Sequence, residues 1–236
     1  VKGADPLPEN KVPWSLLEAL LLWMVVFLLA TLFGSLIMTL TGAEPLTGFL
    51  LSTGLNTALI FLGVWLILRR RQGGFGRLGL FDRQWRRHLI EGLGWGIPVF
   101  VLVMAASTVS VLFNPVPPPP QDFALLVLGA GDWQQLGLVL LLGSVLAPAG
   151  EELYFRGFLY PALKKHLGPV AGMILTSLFF GSMHFDLARL LPLALGGLAL
   201  NWLYERTGSL YVPLAAHGAW NALMVLVLLF SGGTIS

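Results

Sequence analysis

The chain has 236 residues, of which 56% are hydrophobic and 11% charged, with a formal net charge of +2 and no cysteine. About a quarter of an ordinary soluble domain is charged, so this composition excludes one and describes a membrane protein, an all-α polytopic transmembrane helical bundle. The missing cysteines exclude disulfides, thiolate zinc sites and cysteine nucleophiles, and the small basic excess implies no nucleic-acid partner, because the bases sit where membrane topology needs them.

Residues 1–13, VKGADPLPENKVP, are polar and proline-bearing, and the apolar run behind them is too long for a cleavable signal peptide. The chain does not start with Met, so the loss of a few native residues is expected. A crossing helix needs about 20 apolar residues at about 1.5 Å each. That ruler predicts three crossings in an N-terminal part, over 14–40, 47–68 and 89–113. A stiff proline-rich connection follows at 114–134, opening with NPVPPPPQD. Four more crossings, over 135–160, 168–185, 187–204 and 211–231, make a C-terminal helical core at 135–231. FALLVLGAG at 123–131 is too short to cross and is expected at the interface or re-entering, so the count is seven, or eight with that segment. No internal repeat is visible.

The connection from Arg69 to His88 holds seven of the fourteen Lys and Arg residues: Arg69, Arg70, Arg71, Arg77, Arg83, Arg86 and Arg87. The positive-inside rule places it in the cytoplasm, where it is expected to grip lipid headgroups. The next connection has Asp122 and Asp132 and no base, so it faces outward; Lys164 and Lys165 return inside. The N-terminus is then cytoplasmic and the C-terminus external. Trp14, Trp133 and Trp202, near helix ends, are expected as interface anchors.

Within the fourth crossing, VLAPAGEELYFRGFLY at 145–160 carries two adjacent acids and an arginine. Charges in lipid are costly unless paired or wetted. Glu152 and Arg156 are four apart with the acid first, the favourable order for a pair on one helix face. Glu151 is rotated by about 100° and meets Phe155 at i+4, so it points elsewhere without a cation. A carboxyl group without a cation in a low dielectric titrates nearer neutrality, which suits a general base. Pro148 frees a backbone carbonyl, and Ala147, Ala149 and Gly150 leave room.

FFGSMHF puts His184 four residues after Phe180, and AAHGAWN puts His217 and Asn221 on one face of the last helix. Glu151 lies seventeen residues before Gly168 and His184 sixteen after it, so an antiparallel hairpin brings them to one depth. His217, only about ten residues past the Thr207–Gly208 turn, reaches that depth if helix six is short or tilted, or if GSLYVP dips inward as extended chain. A lone membrane histidine or asparagine more often serves a helix-to-helix hydrogen bond, and Asn56, Asn201, Ser107 and Thr176 are assigned to that class. The coincidence of an unpaired Glu, two His and an Asn from three helices favours a functional site.

EELYFR fits E-E-x-x-x-R, FGSMH fits F-x-x-x-H and HGAWN fits H-x-x-x-N, in the order of the CAAX protease and bacteriocin-processing (CPBP, or Abi) family. The resemblance covers residues 133–231 and implies a multi-pass glutamic intramembrane endopeptidase without a cofactor. It implies Glu151 as the base that activates water, Glu152 with Arg156 as a supporting pair, and His184 holding that water or sharing its proton. It gives Phe180 a supporting place, and His217 with Asn221 the task of stabilising the oxyanion. Partners so implied are a hydrophobic peptide or protein substrate, prenylated or a leader peptide, within the lipid bilayer. One Glu and two His would also make a three-ligand zinc site, although H-E-x-x-H is absent. Intramembrane Glu and His also serve proton or ion transport, against which stands the lack of paired halves. A non-catalytic scaffold or immunity protein is the remaining alternative. The short chain reads as prokaryotic, in the plasma membrane.

Overall fold

Backbone polar groups find no water in lipid, so long apolar runs satisfy them internally as helices. The computed structural model describes residues 12–42, 44–113 and 120–232. The polar start up to residue 11 and the proline run at 114–119 lie outside the described residues. Among the described residues every element is helical. The long ones are α1 (Leu16–Thr41), α2 (Pro45–Arg70), α3 (Trp85–Phe113), α7 (Tyr160–Ser182), α8 (Leu187–Thr207) and α9 (Tyr211–Gly232). A 3-10 turn (Phe75–Leu78) precedes α3, and the short α4 (Asp122–Leu128), α5 (Trp133–Leu141) and α6 (Ala147–Glu152) precede α7. Two π-helical segments, Leu142–Leu146 and Leu153–Leu159, link α5 to α6 and α6 to α7.

The ends carry local signals. Ser15 and Glu18 form a reciprocal capping box on α1, Asp132 and Asp186 cap α5 and α8 through their side chains, and left-handed Gly42 and Gly208 end α1 and α8. Six helical stretches are long and apolar enough to cross a membrane, so this is a multi-pass membrane protein. One of them, Trp133–Ser182, has 50 residues, about 75 Å if straight, which is far more than one crossing. It breaks at Gly168, whose φ of 79° and ψ of 171° no helix accommodates. The expected spans 135–160 and 168–185 fall on its two limbs. The second limb stops being helical at Ser182, because Phe185 takes a positive φ of 50° and Asp186 starts α8. The expected short segment is α4, whose 7 residues cannot span.

Burial separates periphery from core. In their most apolar windows α1 and α2 are 11% and 17% buried, whereas Trp133–Ser182, α8 and α9 reach 44%. The polar site lies in those better-buried helices. α3 packs on α8 and α9 rather than staying with α1 and α2. Its Gly92 and Gly96 let α9 approach closely: a Cβ on Gly92 would lie 2.4 Å from the Val212 carbonyl. Asn201 donates to Ser177 Oγ at 2.9 Å across α8 and α7, the inter-helix bond expected of it. Thr176 and Ser107 instead bond back within their own helices, to Gly172 and Val103 carbonyls. Trp133 and Trp202 are exposed as anchors should be, but Trp14 is not one. It is 2% exposed, stacks on Phe158 and donates Nε1–H to the Phe158 carbonyl at 2.8 Å.

Candidate active site

Arg156 is completely buried in the second π-helical segment, with Nη1 and Nη2 hydrogen-bonded and Nε without a partner among the described residues. Nη1–H donates to Glu152 Oε1 at 2.8 Å and Nη2–H to the Gly197 carbonyl at 3.0 Å, while the guanidinium lies 4.8 Å from the Phe180 ring centre. The same Glu152 oxygen accepts from His217 Nδ1 at 2.7 Å. An ionised carboxylate can only accept, so the proton of that bond sits on Nδ1. Glu152 thus serves two cationic or donor partners and is buried, as the i,i+4 spacing with Arg156 implies.

Glu151 is different in every respect. Its side chain keeps 28% of its exposure against 2% for Glu152. Its Oε2 lies 3.8 Å from Nε2 of His217, too far for a hydrogen bond and short enough for one water to touch both. His217 therefore stands between the two acids, one nitrogen for each. Trp220 stacks on its ring at 5.2 Å and Phe180 meets it edge-on at 5.8 Å, which fixes the imidazole plane.

The depth of His217 has a simple cause. Leu210, in the α8–α9 turn, packs at Gly157: a Cβ there would lie 3.1 Å from Leu210 Cδ1. The turn therefore sits at the level of Gly157, and the helix carrying the acids overhangs it down to Gly168. Seven residues up from Leu210 and six up from Gly157 bring His217 and Glu151 level. Neither a short helix six nor extended chain at GSLYVP is needed, since α9 is helical from Tyr211.

His184 lies one turn beyond Phe180, whose ring meets Arg156, but it forms no hydrogen bond or ion pair with either glutamate. Its Nδ1 lies 3.1 Å from the Phe180 carbonyl. A carbonyl only accepts, so Nδ1 donates and the neutral ring presents Nε2 as an acceptor. Asn221 donates Nδ2–H to the Gly143 carbonyl at 2.8 Å. Among the described residues no three His, Asp or Glu side chains converge as metal ligands. Sequence reasoning missed the Glu152–His217 bond, the Gly197 and Gly143 carbonyls, and Trp220. The i,i+3 spacing of His217 and Trp220 was a usable signal, and Pro148, which frees a carbonyl about a turn back, pointed towards Gly143; the Gly197 carbonyl left none.

Residues 133–223 match the family model described as Rce1-like, type II CAAX prenyl endopeptidase. The likeness is confined to that region. The region contains all three motifs and every side chain of the cluster just described. Beside it stands a relative from Bacillus subtilis (strain 168) named "Putative membrane peptidase YdiL", 31% identical over 94 residues. The match covers 40% of this chain and 38% of that protein, so it spans well under half of the relative's length. No solved structure matches the chain significantly. The Rce1-like region stops short of α1 to α4, which stand outside the likeness.

Proposed function

We propose that the protein is an intramembrane endopeptidase that hydrolyses peptide bonds of membrane-associated or hydrophobic substrates with water activated by Glu151. The unequal treatment of the two adjacent glutamates supports this most: Glu152 is bound by Arg156 and His217, while Glu151 is left open 3.8 Å from the other nitrogen of the same imidazole. In this reading a water bridges Glu151 and the site's histidines. Its oxygen attacks the peptide carbonyl carbon as its proton passes to Glu151. The carbonyl oxygen becomes an oxyanion held by His217 and Asn221, each such donor contributing about 3–4 kcal/mol. Collapse breaks the C–N bond, and the proton held on Glu151 goes to the leaving amine. For Nε2 of His217 to donate, the ring must be an imidazolium. Glu152 at Nδ1 stabilises that charge, as the buried acid of a catalytic triad does. His184, with Nδ1 committed to Phe180, offers Nε2 to a proton of the attacking water.

The chemistry runs on these side chains without a cofactor. A lipid-walled site suits a prenylated tail, a leader peptide or an unmodified membrane segment. The protein would work in a prokaryotic plasma membrane with the Arg69–His88 loop in the cytoplasm.

The test is turnover assigned to a residue. Purified protein in detergent is expected to cut members of a hydrophobic peptide library, and Glu151→Gln to lower kcat by about 10²-fold or more. Activity in Glu151→Gln equal to the parent removes the proposed base. Activity lost to a chelator and restored by zinc replaces the mechanism with a metal one.

A further inference from the structure

The π-helical turn ahead of Glu151 has a specific backbone consequence. Across Leu142–Leu146 the Ala147 N–H reaches back five residues to the Leu142 carbonyl. Next comes Pro148, which has no N–H to give. In that register Pro148 is the residue that would have served Gly143. The Gly143 carbonyl is thus left without an intrahelical donor inside a buried stretch, where an unmade bond is costly.

Asn221 fills the gap from α9, with Nδ2 at 2.8 Å from that carbonyl. The acceptor also settles which way round the amide sits, since a carbonyl oxygen must face the NH₂ group. That group has two hydrogens. One is committed to Gly143, which holds the other in a fixed direction one helical turn from His217. The contact needs α9 very close to the π turn, and Gly218 provides this: a Cβ there would lie 2.3 Å from the Ser144 carbonyl. π-helical turns are uncommon and recur at functional sites. Here one turn and one proline, both outside the three motifs, end on a motif residue.

We propose that Pro148, through the Gly143 carbonyl that it leaves unpaired, is a positioning residue: it aims the second amide N–H of Asn221 at the oxyanion beside Nε2 of His217. The role rests on the peptidase reading above. Pro148→Ala restores an N–H that competes for Gly143 or Ser144 while keeping a residue that favours helix, so Asn221 loses its fixed aim without loss of fold.

The experiment is a double-mutant cycle of Pro148→Ala and Asn221→Ala on the whole protein, read in peptide cleavage and in thermal midpoint. Pro148→Ala is expected to lower kcat about tenfold with KM unchanged, and to have no further effect in the Asn221→Ala background. Asn221→Ala is expected to lower the thermal midpoint more in the parent than beside Ala at position 148, where a backbone N–H takes over the Gly143 carbonyl. Additive shifts in midpoint overturn the backbone link. Coupled midpoints with additive losses of kcat overturn the positioning role. A parent that cleaves nothing, with coupled midpoints, overturns the peptidase reading while the link stands.

Discussion

A buried ion pair gains little unless the remaining donors and acceptors around it also find partners, whereas removing one member leaves a costly bare charge. The Glu152–Arg156 pair has two of those partners, His217 Nδ1 and the Gly197 carbonyl, while Glu152 Oε2 and Arg156 Nε have none among the described residues. Arg156→Met is therefore expected to destabilise the protein by about 3–5 kcal/mol, seen as a lowered melting midpoint in detergent. Adding Glu152→Gln should recover part of the loss, because the uncompensated carboxylate is gone; a double variant as unstable as the single one would rule out charge as the cause. This pair was legible in the sequence because both members lie on one helix, where spacing alone fixes proximity. The Glu152–His217 bond joins residues 65 apart in sequence. Its register depends on where the α8–α9 turn packs along the acid-bearing helix, which no local pattern encodes. His184 shows the same limit from the other side: counting residues set it level with Glu151, yet its hydrogen bond is to the Phe180 carbonyl and not to a glutamate.

At the scale of elements, hydropathy located the spans, and the first and third motifs meet where α6 packs on α9. The break at Gly168 was legible from that glycine and the proline behind it, but the π-helical segments were not. A π register differs from an α register by one backbone bond, and tertiary partners such as Asn221 and Pro148's missing N–H decide between them. Close contact between α9 and the first π segment should then matter more than glycine content as such. Gly218→Ala places a methyl 2.3 Å from the Ser144 carbonyl, which is backbone and cannot step aside. A loss of about 1–3 kcal/mol together with at least tenfold lower cleavage is expected. Gly137→Ala on α5, with nothing within 4 Å of the added Cβ, should leave both unchanged. Equal behaviour of the two variants would show that this helix contact does not hold the site.

The whole molecule is electrically lopsided. Arg69 at the end of α2, Arg86 at the start of α3 and Arg206 at the end of α8 each lie over a tryptophan, at 5.2, 5.1 and 5.3 Å from the ring centres of Trp65, Trp85 and Trp202. Those three rings are exposed, as aromatic anchors in a headgroup layer are. The Arg-rich connection docks on the same end, where Tyr204 Oη–H donates to the Leu78 carbonyl at 3.3 Å and Arg71 pairs with Glu18 at 3.0 Å. Lys164 joins it through Glu205 at 2.7 Å. At the opposite end the base Arg189 is ion-paired with Asp186, and Asp122 and Asp132 add negative charge. The positive-inside rule then predicts the Arg69–His88 connection in the cytoplasm and the turn before α5 outside. The absence of native cysteine makes this directly measurable. A single cysteine at Gly74, where a Cβ meets nothing within 4 Å, should react with a membrane-impermeant maleimide only after the cells are opened. One at Gly131, on the outer turn and near only Gln135 Oε1 at 3.8 Å, should react in intact cells. The reverse pattern would invert the molecule and put the Arg-rich end outside the cell.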